Sequence, residues 1–190
     1  RQAGRLSGSS YQREADRDSG RVASAYDTGV TGWDPDPSAA QGRFVDPILT
    51  AMQAPLTSAI VDLTARTLNW RVPNLRYELL SNAVNGSWNW GGGRSPPEVV
   101  SELRQALALD GAMRVLVAHG YTDLVTPYFA SKLILGQIPS YGRDRRLSLS
   151  VYPGGHMFYF RKASRAALRG DALHLYETAL AARQSGGDGR

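Results

Sequence analysis

The chain has 190 residues, 42% of them apolar, which suffices for one domain with a buried core. It contains no cysteine, so disulfides and thiol catalysis within it are excluded. Its net charge of +5 comes from arginines interleaved with acids, unlike the basic stripe with stacking aromatics of a nucleic-acid surface, and no uninterrupted apolar run approaches the roughly 18 residues of a transmembrane helix. Neither a nucleic-acid partner nor a membrane span is expected.

The first residue is Arg1 rather than Met, and no secretory signal pattern follows it, so the chain is expected to be a fragment or processed product. Residues 1–42 are rich in Gly, Ser, Asp and Arg and read as a surface excursion or linker with little to form a core. At Asp46-Pro47 an N-cap followed by proline opens a helix, with Ile48, Leu49 and Met52 on its apolar face; Pro55 is expected to kink or restart it before it runs on towards Asn69. Tyr77 to Leu80 reads as a short strand, and Trp88 and Trp90 as anchors of a Gly-rich loop. Ser95-Pro96-Pro97-Glu98 opens a second helix with Val99, Val100, Leu103, Leu107 and Leu109 on its apolar face, closed by Asp110-Gly111.

An alternation follows. Met113–Ala118 reads as a buried strand, Pro127–Ile138 as a helix, Leu147–Tyr152 as a second strand and Ala172–Ala182 as a closing helix. This pattern predicts an α/β fold with a mostly parallel sheet flanked by helices. Residues 1–75 are then a linker or cap, residues 76–190 the core, and residues 184–190 a flexible tail.

In a parallel sheet, chemistry gathers beyond the carboxyl ends of the strands. Two loops fall there: His119-Gly120-Tyr121-Thr122-Asp123-Leu124-Val125-Thr126-Pro127 and Tyr152-Pro153-Gly154-Gly155-His156-Met157. An acid at one strand end and a histidine at the next suit a triad, in which the carboxylate fixes the imidazole tautomer and Nε2 exchanges a proton with a serine. Taken singly, Asp123 also suits a turn capping the following helix, and His156 a satisfied polar residue in a glycine turn. His119 stands near the same end and suits a structural role better than substrate contact, while His174 suits packing or surface. Three histidines without cysteine or ligand spacing predict no metal, and no cofactor motif occurs.

The stretches Ala118–Tyr128 and Pro153–Tyr159 resemble the acid and histidine motifs of bacterial serine carboxypeptidases, a family of α/β-hydrolases. The similarity extends to Gly20-Arg21-Val22 with Tyr26-Asp27, to Asp34-Pro35-Asp36-Pro37 and to Asn85–Trp90. The resemblance implies release of C-terminal amino acids from peptides through an acyl-enzyme, with Asp123 as acid, His156 as base and Met157 lining the substrate pocket. It also implies an exported enzyme. No Gly-x-Ser-x-Gly occurs in the chain. The serine is therefore expected from a missing N-terminal half, without which this chain is expected to be inactive. Esterase or acyltransferase activity on the same fold, or an inactive or decayed fragment, are the alternatives.

Overall fold

A computed structural model describes residues 8–39, 43–71, 77–91, 97–142 and 145–187. It is a mixed helix and sheet structure in two compact units, one made of residues up to Ser24 with Val30–Pro97, the other of Ala25–Gly29 with residues from Glu98 onward. The expected boundary at 75/76 lies outside the described residues. The expected mostly parallel sheet is corrected: the described strands form one antiparallel and one parallel pair. A parallel pairing needs a crossover of a dozen or more residues, and among the described residues the one parallel pair lies within residues 115–152, a strand–helix–strand unit.

Residues 8–39 of the segment read as a linker are folded. They hold helix α1 (Gly8–Glu14) and strands β1 (Arg21–Ala23) and β2 (Thr31–Trp33), with Arg21 opposite Trp33. Beside the buried Val22 and Ala23 of β1, the segment is held by polar contacts, which apolar periodicity does not register. Nε of Arg13 donates to Asp34 at 2.8 Å, with the two side chains only 8% and 3% exposed. The remaining guanidinium nitrogens donate to the carbonyls of Ala39 and Asp36, and Asp34 accepts from the Asp36 amide. A buried guanidinium is tolerable only when so paired.

Asp46 ties this hairpin to the next helix. Its carboxylate caps α2 (Pro47–Asp62) by accepting from the Ile48 amide, and also accepts from Ser24 Oγ at 2.7 Å and Gln12 Nε2 at 3.4 Å. Pro55 lies inside α2 without ending it, and a π-helical turn at Leu63–Thr67 extends it. The stretch Pro47–Thr67 spans 21 residues, and its most apolar window has a mean hydropathy of 1.2 and no buried residue. By length and composition it is long and apolar enough to cross a membrane. A reading from uninterrupted runs passes over it because Thr50, Gln53, Thr57 and Ser58 interrupt the run without adding charge. Tyr77–Leu80 is not a strand; a short helix α3 (Asn82–Ser87) follows instead. The expected anchors Trp88 and Trp90 are 62% and 60% exposed and lie against each other, ring centroids 6.3 Å apart.

The second unit is built on β3 (Val115–Gly120) and β4 (Leu147–Tyr152), parallel and in register from Val115 opposite Leu147 to Gly120 opposite Tyr152. Strand β3 starts and ends two residues later than expected, so His119 and Gly120 close the strand rather than open the loop. At the start of helix α4 (Val100–Leu109) the amides of Val100 and Ser101 donate to the carboxylate of Glu98, which precedes the N-cap Val99. Arg146, buried, donates to the carbonyls of Leu107, Asp110 and Tyr141, fastening the start of β4 to the end of α4. Helix α5 (Tyr128–Leu135) crosses between the strands and is shorter than expected at both ends.

After a 3-10 turn at Phe158–Phe160, helix α6 (Lys162–Gly187) begins ten residues earlier than expected and runs into the segment read as a flexible tail. Tyr152 stacks on Phe158 with centroids 4.9 Å apart, and its hydroxyl donates to Asp171 of α6 at 2.5 Å. Burial, and then that carboxylate, push the Tyr152 phenol up to about 12.

Replacing Asp46 by Ala removes the cap of α2, worth about 1 kcal/mol by itself, together with the acceptor of Ser24 and Gln12. The expected loss in chemical denaturation is about 2 kcal/mol, with Asp46→Asn, which retains an acceptor oxygen, costing less than half as much.

Candidate active site

The site lies within the second unit, at the carboxyl end of the parallel pair. Asp123 follows β3 by three residues and His156 follows β4 by four. Oδ1 of Asp123 accepts from the amides of Val125 at 2.8 Å and Thr126 at 3.0 Å, which closes the turn leading into α5. Oδ2 accepts from Thr126 Oγ1 at 2.7 Å and from Nδ1 of His156 at 2.9 Å. The turn-forming and imidazole-orienting readings of Asp123 are thus not exclusive: one oxygen serves each.

The two side chains differ in exposure in a way that bears on their chemistry. The Asp123 side chain is 2% exposed and that of His156 is 39% exposed. A dry carboxylate held by two amides and a hydroxyl has a fixed orientation, and it fixes the tautomer of the ring it faces. With Nδ1 carrying its proton towards Asp123, Nε2 is left as the acceptor. The Thr126 hydroxyl also stands 3.3 Å from Nδ1. Met157, half-buried, follows directly and starts the 3-10 turn. His119 donates from Nδ1 to the Thr126 carbonyl at 3.1 Å and so holds the acid loop. His174 is exposed on α6.

Backbone geometry brings the loops together. The amides of Tyr121 and Thr122 donate to the carbonyls of Tyr152 and Gly154. Gly120 lies so close to the second loop that a Cβ on it would sit 1.8 Å from the Gly155 carbonyl oxygen, and a Cβ on Gly155 would sit 1.8 Å from the Tyr26 carbonyl oxygen. Gly154 has φ of +122°, a backbone region that side chains disfavour.

The segment Ala25–Gly29 is the part of the site that reading for catalytic residue types did not find. The His156 amide donates to the Tyr26 carbonyl, and the Tyr26 ring meets the imidazole edge-on, centroids 5.5 Å apart at 84°. The Leu124 amide donates to Ala25, and the Thr28 amide to Thr122. Asp27, buried, accepts from Thr122 Oγ1 at 2.7 Å, Arg161 at 2.9 Å and the Gly29 amide at 2.9 Å. Burial raises its pKa, but these hydrogen bonds together with the Arg161 charge outweigh that and hold the carboxyl below its ordinary 3.8. The only sequence signal was the occurrence of Tyr26-Asp27 among the stretches that resemble the carboxypeptidases.

Two cavities lie elsewhere in this unit. One of about 320 Å³ is bounded by α4, α5 and β4, and one of about 730 Å³ lies between the strands and α6. Neither is lined by Asp123, His156 or Met157.

Gly120→Ala is expected to cost about 3 kcal/mol or more, because only backbone stands in the way and must move. Gly170→Ala, in α6 with nothing within 4 Å of the new methyl, is expected to stabilise by about 0.5 kcal/mol; thermal melting of the two variants checks the contrast. A depressed Asp27 pKa contributes stability that is full above the ordinary carboxylate value and lost as pH falls through the lower folded value. An acid titration monitored by circular dichroism is therefore expected to show a shallower stability loss below pH 3.8 in Asp27→Asn than in the parent chain.

Comparison of the chain with models of protein families, with curated proteins and with solved structures finds no match.

Proposed function

We propose that this chain supplies the acid and base of a serine carboxypeptidase of the α/β-hydrolase type, with the nucleophilic serine contributed by a part of the enzyme outside it. The observation that carries the reading is the 2.9 Å hydrogen bond from Nδ1 of a half-exposed His156 to a buried, amide-anchored Asp123. The placement of both residues beyond parallel strand ends supports it as well.

In this reading a serine hydroxyl attacks the carbonyl of the last peptide bond while Nε2 of His156 takes its proton. The imidazolium, stabilised by Asp123, returns that proton to the departing amino group, and the C-terminal amino acid leaves. Water, deprotonated by the same Nε2, then cleaves the acyl-serine and restores it. Met157, directly after the base, lines the pocket for the departing residue.

Exposed apolar side chains support a larger whole. Among the described residues only Val22, Ala23, Leu107, Tyr152 and Phe158 are buried apolar side chains, whereas all four tryptophans, Trp33, Trp70, Trp88 and Trp90, are exposed. Leu173, Tyr176 and Leu180 of α6 are exposed too. A further part of the enzyme, bringing the serine and a pocket for the peptide, accounts for such surface.

The test is expression of the full reading frame that contains this chain and assay on blocked dipeptides and on simple esters. Release of the C-terminal amino acid is expected, lost to background in His156→Ala and reduced about 10⁴-fold in kcat in Asp123→Asn. Ester hydrolysis without amino-acid release would replace peptidase by esterase, and a reading frame with no serine-bearing elbow would end the proposal.

A further inference from the structure

The contacts of Asp27 go well beyond its own turn. Its bond to the Gly29 amide is local, but the other two reach Thr122, 95 residues away, and Arg161, 134 residues away. Thr122 directly precedes Asp123. Arg161 directly follows the 3-10 turn that begins after Met157. One buried carboxylate therefore joins the acid's loop to the base's loop, in addition to the hydrogen bond between Asp123 and His156.

The backbone around Asp27 repeats the same connection. The carbonyl of Thr122 and the amide of Leu124, on either side of Asp123, are bonded to Thr28 and Ala25. The amide of His156 is bonded to Tyr26. Both members of the pair thus hang from one five-residue strut, and neither loop can shift without breaking bonds to it.

We propose that Asp27 is a positioning residue for the Asp123–His156 pair, its carboxylate locking the strut to both loops through Thr122 and Arg161. This rests on the reading of Asp123 and His156 as acid and base. The carboxylate acts on the pair through Thr122 and Arg161. The consequence for rate is large because a displacement of about 1 Å at a reacting group costs roughly 10²-fold. A carboxylate suits the task better than an apolar plug, since its bonds to a hydroxyl and a guanidinium fix direction as well as distance.

The test uses the full-length enzyme, with Asp27→Asn, Thr122→Val and Arg161→Gln compared at equal folded concentration. Asp27→Asn is expected to lower kcat about 30-fold with KM within twofold of the parent, and each partner variant to lower kcat about fivefold. In ¹⁵N-histidine-labelled protein the Nδ1 proton resonance of His156, assigned by its loss in His156→Ala, is expected to move upfield or broaden in Asp27→Asn as the bond to Asp123 loosens. A structural role alone would reduce the folded fraction and leave kcat per folded molecule and this resonance unchanged, which would overturn the proposal. If Asp27→Asn does not fold, Arg161→Gln decides, because that side chain is 52% exposed and its loss is expected to leave the fold intact; a parental kcat and resonance there would equally overturn it. Should the parent enzyme release no amino acid and cleave no ester, the catalytic reading fails by itself, while the resonance still reports whether Asp27 holds the pair.

Discussion

Three stretches of backbone in the second unit approach so closely that no side chain fits between them. Gly120 at the end of β3 lies against the Gly155 carbonyl, and Gly155 lies against the Tyr26 carbonyl. This stack sets the distance between the loop that carries Asp123 and the loop that carries His156. Once the glycines have let the chains meet, the amides and carbonyls of Tyr121, Thr122, Leu124 and His156 find partners across the gap. The 2.9 Å bond between Asp123 and His156 is a result of that packing rather than its cause. A net hydrogen bond stabilises by about 1 kcal/mol, too little to pull two loops together against the entropy of ordering them.

Both units rely on buried polar groups to an unusual degree. Arg13 with Asp34, Ser24 and Gln12 with Asp46, Asp27 with Thr122 and Arg161, and Arg146 with three carbonyls each hold distant segments in a fixed relation. Such contacts contribute direction more than energy, because desolvation offsets much of what the charges gain. The apolar side chains that normally supply the energy are largely on the surface, in α6, in the tryptophan loop and along Pro47–Thr67. Among the described residues the result is well-specified junctions and a thin core.

The position of Asp123 shows how one side chain can satisfy a structural and a chemical demand together. Its Oδ1 completes a turn that any loop entering a helix needs, and its Oδ2 orients an imidazole. The turn keeps the carboxylate from rotating and so makes it a better partner for the ring. Thr126 belongs to both arrangements, donating its amide to one oxygen and its hydroxyl to the other.

The sequence alone determined the local features that depend on neighbours along the chain. The Asp46-Pro47 helix start was legible because a cap and a proline act within one turn, and β4 because alternating residues from Leu147 to Tyr152 report a strand directly. Asp123 and His156 were legible as a pair because acid and base after successive strands form a recurring order. The hairpin of Arg21–Trp33 was not legible, since Val22 and Ala23 make too short an apolar signal and the contacts of Arg13 and Asp46 carry no periodicity. The extent of the sheet was overestimated, because two strands in a row imply a parallel pair but not how many others join it. The contacts of Tyr26 and Asp27 were decided only by the tertiary structure, for a carboxylate that bridges 95 and 134 residues has no local signature. Pairings along the chain follow from the residues beside them, whereas pairings across it exist only once the backbone has brought their partners within about 3 Å.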